Sequence, residues 1–289
     1  MFPAMTPLRI NQLLFPTDFS ETAHKALPFA LDIAKRSGAR LTLMHTIEEP
    51  YDFAPMAQEI KQQIRNRIES LFKEQLDDIL KNERYKDIEI NIEIRNGPAT
   101  YSILDLAEEM KADLIMMGTT GASGIDKILV GSTTSKVISQ SPVPVLAVPK
   151  NYEHDFYNGL DSITFLTDYK DEDLEAVRST SYFAQLYDAK VVVLHIEKEL
   201  NLRAKIMHEG FRELVSQQIS SNSMQFELII EDDFETGIAS YLDAQWSSVL
   251  ALVRYKKSFF TKLWTKDHTK KLGFYSKLPL LVFIGNDLQ

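Results

Sequence analysis

One stretch of this chain is written twice. Residues 13–49 read LLFPTDFSETAHKALPFALDIAKRSGARLTLMHTIEE, and residues 163–199 read ITFLTDYKDEDLEAVRSTSYFAQLYDAKVVVLHIEKE. The two align without a gap at an offset of 150 residues. Phe15, Thr17, Asp18, Ala26, Ala34, Ala39, His45 and Glu49 meet Phe165, Thr167, Asp168, Ala176, Ala184, Ala189, His195 and Glu199. Solenoid repeats have periods of roughly 20–50 residues, so a repeat this distant is a duplicated domain. The length of 289 residues agrees, since domains commonly run to roughly 150 residues each. The expected division is 1–150 and 151–289, with the polar, turn-rich segment 151–161 as linker.

Hydrophobic periodicity says what each copy folds into. Leu13–Phe15 is a short buried strand. Residues 20–37 are helical, with Ser20 as N-cap and Gly38 just past the end. Leu41–Ile47 is a second strand. Residues 56–82 place Ile60, Ile64, Ile68, Leu71, Phe72, Leu76 and Ile79 on one helical face. Ile88, Ile90, Ile92 and Ile94 alternate with polar residues as in a strand. A helix over 99–111, a strand Leu114–Met117, a helix over 131–140 and a strand Val143–Val148 complete the unit. The second half repeats the order, with strands near 162–167, 190–196, 224–231, 248–253 and 279–284. Alternating strands and helices make a parallel sheet with helical crossovers on both faces. The expected fold is α/β: two tandem doubly wound, Rossmann-like domains, each with a five-stranded parallel sheet.

Composition excludes several functions. There is no cysteine, so disulfides, thiolate metal sites and cysteine nucleophiles are ruled out. The net charge is -9, which argues against a nucleic-acid or anionic-membrane binder. The six histidines show no metal-ligand spacing. The N-terminal residues carry no basic segment followed by an apolar core, and no apolar run approaches the ~20 residues of a membrane span. The expected location is the cytoplasm.

Ligands of doubly wound sheets bind beyond the C-terminal strand ends. In the first half those ends carry Pro16-Thr17-Asp18-Phe19-Ser20, His45-Thr46 and Met117-Gly118. After Met117 runs GTTGASGIDKILVGSTTSKV. Gly118, Gly121, Gly124 and Gly131 let a backbone approach a ligand closely. Ser132, Thr133 and Thr134 open a helix whose unpaired N–H groups favour an anion. The loop reads either as a phosphate cradle or as a set of turns. Asp18 reads either as an acceptor for ribose hydroxyls or adenine N–H groups or as a cap on the following helix. His45 reads as a packed strand-end residue. Lys127 reads as a phosphate contact or a solvated loop lysine.

The spacing G-x2-G-x9-G-[ST], met by Gly118, Gly121, Gly131 and Ser132, resembles the signature of the ATP-binding branch of the universal stress protein family. The PTDFSE run at 16–21, His45 and the SPVPVLAVP run at 141–149 are similar to that family too. The resemblance is strong over 8–150 and weak over 160–285. It implies an adenine nucleotide, ATP or else ADP or AMP, with magnesium as its companion ion. It implies that Asp18 and Thr46 flank adenine and ribose. Gly118, Gly121, Gly131, Ser132 and Thr133 would contact ribose and phosphates, and Pro16, Thr17 and Met117 would line the base pocket. It implies a regulatory role in the stress response and pairing through the last strand of each sheet. On that basis the two halves are expected to pair through Val143–Val148 and Leu280–Phe283, and the product to dimerise again.

In the second half the equivalent stretch, Arg254 to Gly273, lacks the glycines. From Arg254 to Lys271 it holds Arg254, Lys256, Lys257, Lys262, Lys266, Lys270 and Lys271 against Asp267 alone. Thr167, Asp168 and His195 persist. The cations read as a solvated helix face or as partners of the acidic run 231–235, or else as a site for an anion or an acidic partner. The favoured expectation is that they fold inward over Asp168, with Phe259, Phe260 or Trp264 plugging the cleft. Three functions stand: a nucleotide-binding regulator, a slow ATPase or phosphotransferase on the same site, or a nucleotide-free scaffold. No general base or water-positioning residue can be named, so the first is preferred, with one nucleotide per chain.

Overall fold

The computed structural model describes residues 8–48, 58–119, 131–152, 158–219, 223–245, 247–255 and 278–285. In chain order the first half contains β1 (Gln12–Pro16), α1 (Glu21–Ser37), β2 (Arg40–Ile47), α2 (Gln58–Leu80), β3 (Ile90–Asn96), α3 (Ala99–Glu109), β4 (Leu114–Gly118), α4 (Ser132–Gln140) and β5 (Val145–Val148). The second contains β6 (Ser162–Leu166), α5 (Asp171–Gln185), β7 (Lys190–Glu197), α6 (Leu202–Gln218), β8 (Met224–Ile230), α7 (Phe234–Ala244), β9 (Val249–Arg254) and β10 (Leu280–Ile284).

The strands form one sheet in the order β3-β2-β1-β4-β5-β10-β9-β6-β7-β8. Within each half every pairing is parallel. The halves meet where β5 and β10 run antiparallel, with Ala147, Leu146 and Val145 opposite Leu280, Leu281 and Val282. Each half is thus a five-stranded doubly wound sheet, and the chain order reverses direction beside β1 and beside β6. One face carries α1, α2, α5 and α6, packed through Ile33, Phe72, Phe183 and Phe211 among others. The opposite face carries α3, α4 and α7, packed through Ile103, Val137, Ile138 and Ile238.

Local chemistry explains the element ends. The Ser20 hydroxyl accepts the Ala23 N–H at 3.2 Å and so caps α1. Gly38 ends α1 in the left-handed region at φ 72° and donates to the Ala34 carbonyl. The strand-to-helix turn is the same in both halves. Phe19 (φ 58°) and Tyr169 (φ 57°), 150 residues apart, are both left-handed, a conformation that costs a non-glycine residue roughly 1–2 kcal/mol. Each is held from both sides. Their N–H groups donate to the hydroxyls of Thr17 and Thr167, at 3.0 and 2.9 Å. Their rings pack against His45 and His195. Those imidazoles in turn bond the Thr17 and Thr167 carbonyls through Nδ1, at 2.7 and 2.6 Å.

Side chains also cross between the halves. Arg36 donates to the Leu186 carbonyl at 3.1 Å and lies 4.5 Å over the Tyr187 ring. Its partner Asp32 is 1% exposed and is shared with Arg84. Tyr152, from the expected linker, donates to the Ser248 carbonyl.

Leu146 and Leu281 are fully buried opposite one another. Leu281→Ala is expected to cost about 3 kcal/mol, as buried leucine truncations do. Hydrogen exchange should show the loss in both β1 and β6. A loss confined to β6 would mean that the two halves open independently.

Candidate functional site

A cleft of about 230 Å³ opens at the C-terminal ends of β1, β2 and β4, the switch point of the first half. Pro16, Thr17 and Asp18 reach it from β1, Met44 and Thr46 from β2, and Met117 and Gly118 from β4. Gly131, Ser132, Thr133 and Thr134 form the wall at the start of α4. Nine of the ten residues expected from the sequence therefore share one cavity, and Gly121 lies outside the described residues, as do Gly124 and Lys127. The sequence reading missed Ala23, Met44, Ala99 and Ile103 as lining. Ala99 and Ile103 are one helical turn apart at the start of α3, a spacing that could have shown that they share a face.

Each wall is fixed by bonds within the fold. Thr17 donates its N–H to the Met44 carbonyl at 2.7 Å, which ties the β1 turn to β2. Asp18 is exposed, and its carboxylate accepts the Ser20 N–H at 3.0 Å. The α1 cap itself is Ser20, so Asp18 is not the capping residue. The Thr134 hydroxyl donates to the Gly118 carbonyl at 2.8 Å and pins α4 against β4. Among the described residues, no side chain caps α4 at its N-cap, Gly131. The first residues of α4, at the positive end of the helix dipole, thus line the cleft. The N-terminus of α3 differs: there Glu48 accepts the Ala99 N–H at 2.6 Å.

The two described glycines serve different ends. A Cβ on Gly118 would lie 2.7 Å from the Thr22 methyl, so glycine is needed there to seat α1 on β4. Gly131 has φ -60° and ψ 156°, a conformation open to any residue.

The described part of the matching region in the second half is built differently. Leu13 pairs with Leu114 and Ile163 with Val249, so Val253 takes the position of Gly118. Asp173 replaces Ala23 of the cleft wall and is 1% exposed. One of its oxygens accepts from the Thr167 hydroxyl at 2.8 Å and from the Asp168 and Lys170 N–H groups at 2.9 and 3.2 Å. The other accepts the Tyr255 hydroxyl. Lys170 Nζ lies 3.6 Å over the Tyr255 ring and 3.6 Å from Asp168. Burial raises the Asp173 carboxyl above its ordinary range, partly offset by these donors. Among the described residues, the cation beside Asp168 is Lys170, from the same turn. Of the basic stretch only Arg254 is described, and it donates to the Ser141 carbonyl of the first half. Lys256 to Lys271, with Phe259, Phe260 and Trp264, lie outside the described residues.

Among the described residues no group of three or more acidic or histidine side chains is placed to hold a metal ion. No described helix is long and apolar enough to cross a membrane.

Comparison with known proteins agrees with this geometry. The sequence profile of the universal stress protein family matches residues 10–149. A universal stress protein of Methanocaldococcus jannaschii is 32% identical over 144 residues, which cover 48% of this chain and 82% of that protein. A relative from Staphylococcus aureus is 30% identical over 147 residues, covering 48% of this chain and 83% of its own. The crystal structure of a universal stress protein from Archaeoglobus fulgidus superposes with a TM-score of 0.70, over 98% of this chain and 99% of that one. At 17% identity this last likeness speaks for the fold of both halves alone. Profile, relatives and architecture converge: this chain belongs to the universal stress protein family.

Proposed function

We propose that this protein is a regulatory, stress-associated binder of an adenine nucleotide, with one site, in the first of two domains (1–150 and 151–289). One observation carries the reading: the N-terminal start of α4 and Asp18 line the same cleft. The first suits phosphate and the second suits the hydroxyls and N–H groups of a nucleoside. Asp18 and Thr46 are assigned to adenine and ribose, within a base pocket formed by Pro16, Thr17 and Met117. Gly118, Gly121, Gly131, Ser132 and Thr133 are assigned to ribose and phosphates, ATP being the preferred ligand over ADP or AMP. Magnesium, which commonly binds through substrate phosphates, would arrive with the triphosphate. A cytoplasmic location is part of the same reading.

Gly131→Val separates this reading from a merely structural loop. The backbone at Gly131 accepts valine, so circular dichroism should be unchanged. The added side chain stands at the mouth of α4, and calorimetry should show ATP affinity falling at least about tenfold, some 1.4 kcal/mol. Unchanged affinity would place the phosphates elsewhere.

Single occupancy rests on reading Asp173 and Tyr255, both buried, as a plug in the second half. A titration of the whole chain should saturate at one ATP per chain, and saturation at two would show that Asp173 and Tyr255 can be displaced. The plug also has a pH signature. A carboxyl whose folded pKa is raised stabilises the fold fully below its unfolded value, and that contribution is lost as pH rises through the folded value. Asp173→Asn keeps an acceptor without the charge. Urea unfolding across the mildly acidic range should show wild type losing stability relative to Asp173→Asn as pH rises. A pH-independent difference would mean that Asp173 is not forced toward its protonated form.

A further inference from the structure

The cleft of about 230 Å³ is small for its proposed ligand, since small-molecule sites commonly enclose roughly 300–1,000 Å³. It does not stand alone. A second groove, of about 530 Å³, runs between α3 and α4. Ala99, Ser132 and Thr133 line both spaces, so the two adjoin at the start of these helices. A ligand seated in the cleft can therefore continue into the groove past the hydroxyls of Ser132 and Thr133.

The walls of the groove carry distinct chemistry. On α4, Ser132, Lys136 and Gln140 follow one another at four-residue steps and form one row. On α3, Tyr101 and Leu104 are three residues apart and share a face. Leu104 packs on the core, whereas Tyr101 is 69% exposed. Glu48 lies at the start of α3, where one of its oxygens accepts the Ala99 N–H. Among the described residues that line the groove, Lys136 is the one cation and Glu48 the one carboxylate. Within the same set, the side chains of Tyr101, Lys136 and Gln140 have no recorded bond or ion pair.

These groups fit the parts of a nucleoside phosphate. The Tyr101 ring offers a face on which a base can stack. The Gln140 amide both donates and accepts, as a base edge requires, and the remaining oxygen of Glu48 can accept from ribose hydroxyls. Lys136 supplies a positive charge one helical turn beyond Ser132. An inorganic anion would gain nothing from Tyr101 and would be repelled by Glu48.

We propose that the groove takes a second nucleoside, joined to the first by a chain of phosphates, so that the ligands of this site include dinucleoside polyphosphates. The inference rests on the nucleotide reading given above. The first nucleoside occupies the cleft at Asp18, the phosphates pass Ser132, Thr133 and Lys136, and the second base lies on Tyr101. The second nucleoside is held because the phosphate chain keeps it close at high effective concentration. ATP by itself therefore still saturates at one per chain.

Calorimetry of the full chain with AMP, ATP and diadenosine tetraphosphate tests this. ATP and the dinucleotide carry similar charge, so a difference between them reads the second nucleoside. The dinucleotide is expected to bind at least about tenfold more tightly than ATP, the size of effect that one base stacked on an aromatic ring supplies. Tyr101→Ala should bring that ratio down to about one. Lys136→Met should weaken the dinucleotide at least about fivefold, as loss of one charge-assisted phosphate contact does. Both side chains are exposed, and circular dichroism should confirm an unchanged fold. A dinucleotide that binds no more tightly than ATP overturns this inference and leaves the nucleotide site standing. An advantage that survives Tyr101→Ala, or a dinucleotide indifferent to Lys136→Met, overturns it as well. If none of the three compounds binds, the nucleotide reading falls and this inference with it.

Discussion

Three residue pairs between β5 and β10 hold two five-stranded sheets in one plane. Both strands are apolar and would be exposed edges if each half stood alone, and an exposed apolar edge invites uncontrolled pairing. Here each edge covers the other. The antiparallel sense of the junction has a geometric result. All strands of the first half run with β5 and all strands of the second with β10, so their C-terminal ends lie at opposite rims of the sheet. The cleft at Asp18 and the matching position at Asp173 therefore face away from each other.

The turn between the first strand and first helix of each half is built under strain and then locked. A left-handed aromatic residue, a threonine hydroxyl and a strand-end histidine recur as Phe19, Thr17 and His45, and as Tyr169, Thr167 and His195. The second set remains although a buried Asp173 stands beside it where the first half has Ala23. The turn thus belongs to the fold's skeleton, and its strain is offset by packing in both halves, whether or not a cleft opens beside it. This also gives the two histidines a structural role, since each ring has a carbonyl partner and an aromatic neighbour.

Much of this was legible before any coordinates. The elements follow from periodicity because strand and helix alternation here is strong and its punctuation is conventional: Ser20 caps α1 and Gly38 ends it. The cleft follows because doubly wound sheets collect ligands at a known rim, which gathers Pro16, Thr46 and Ser132 from distant parts of the chain. What stayed hidden depends on contacts across the fold. Asp173 is one of three acidic residues opening α5 and reads as a complement to the helix dipole. Only the arrival of Tyr255, 82 residues away, makes it a plug. Gly118 reads as ligand space, yet the Thr22 methyl beside it is the sharper reason.

The junction between β5 and β10 also changes what kind of asymmetry the protein can have. Two separate chains paired through the same edges would part on dilution, and their association would depend on concentration. Within one chain the encounter is intramolecular, and the tether maintains it at any dilution. A symmetric pair of chains must also carry every substitution twice, once in each cleft. A tandem chain escapes that rule. An aspartate could replace an alanine in one cleft and leave its twin open, as Ala23 and Asp173 now do. Duplication followed by fusion thus turns a symmetric assembly into one whose two ends can be inherited, and can change, separately.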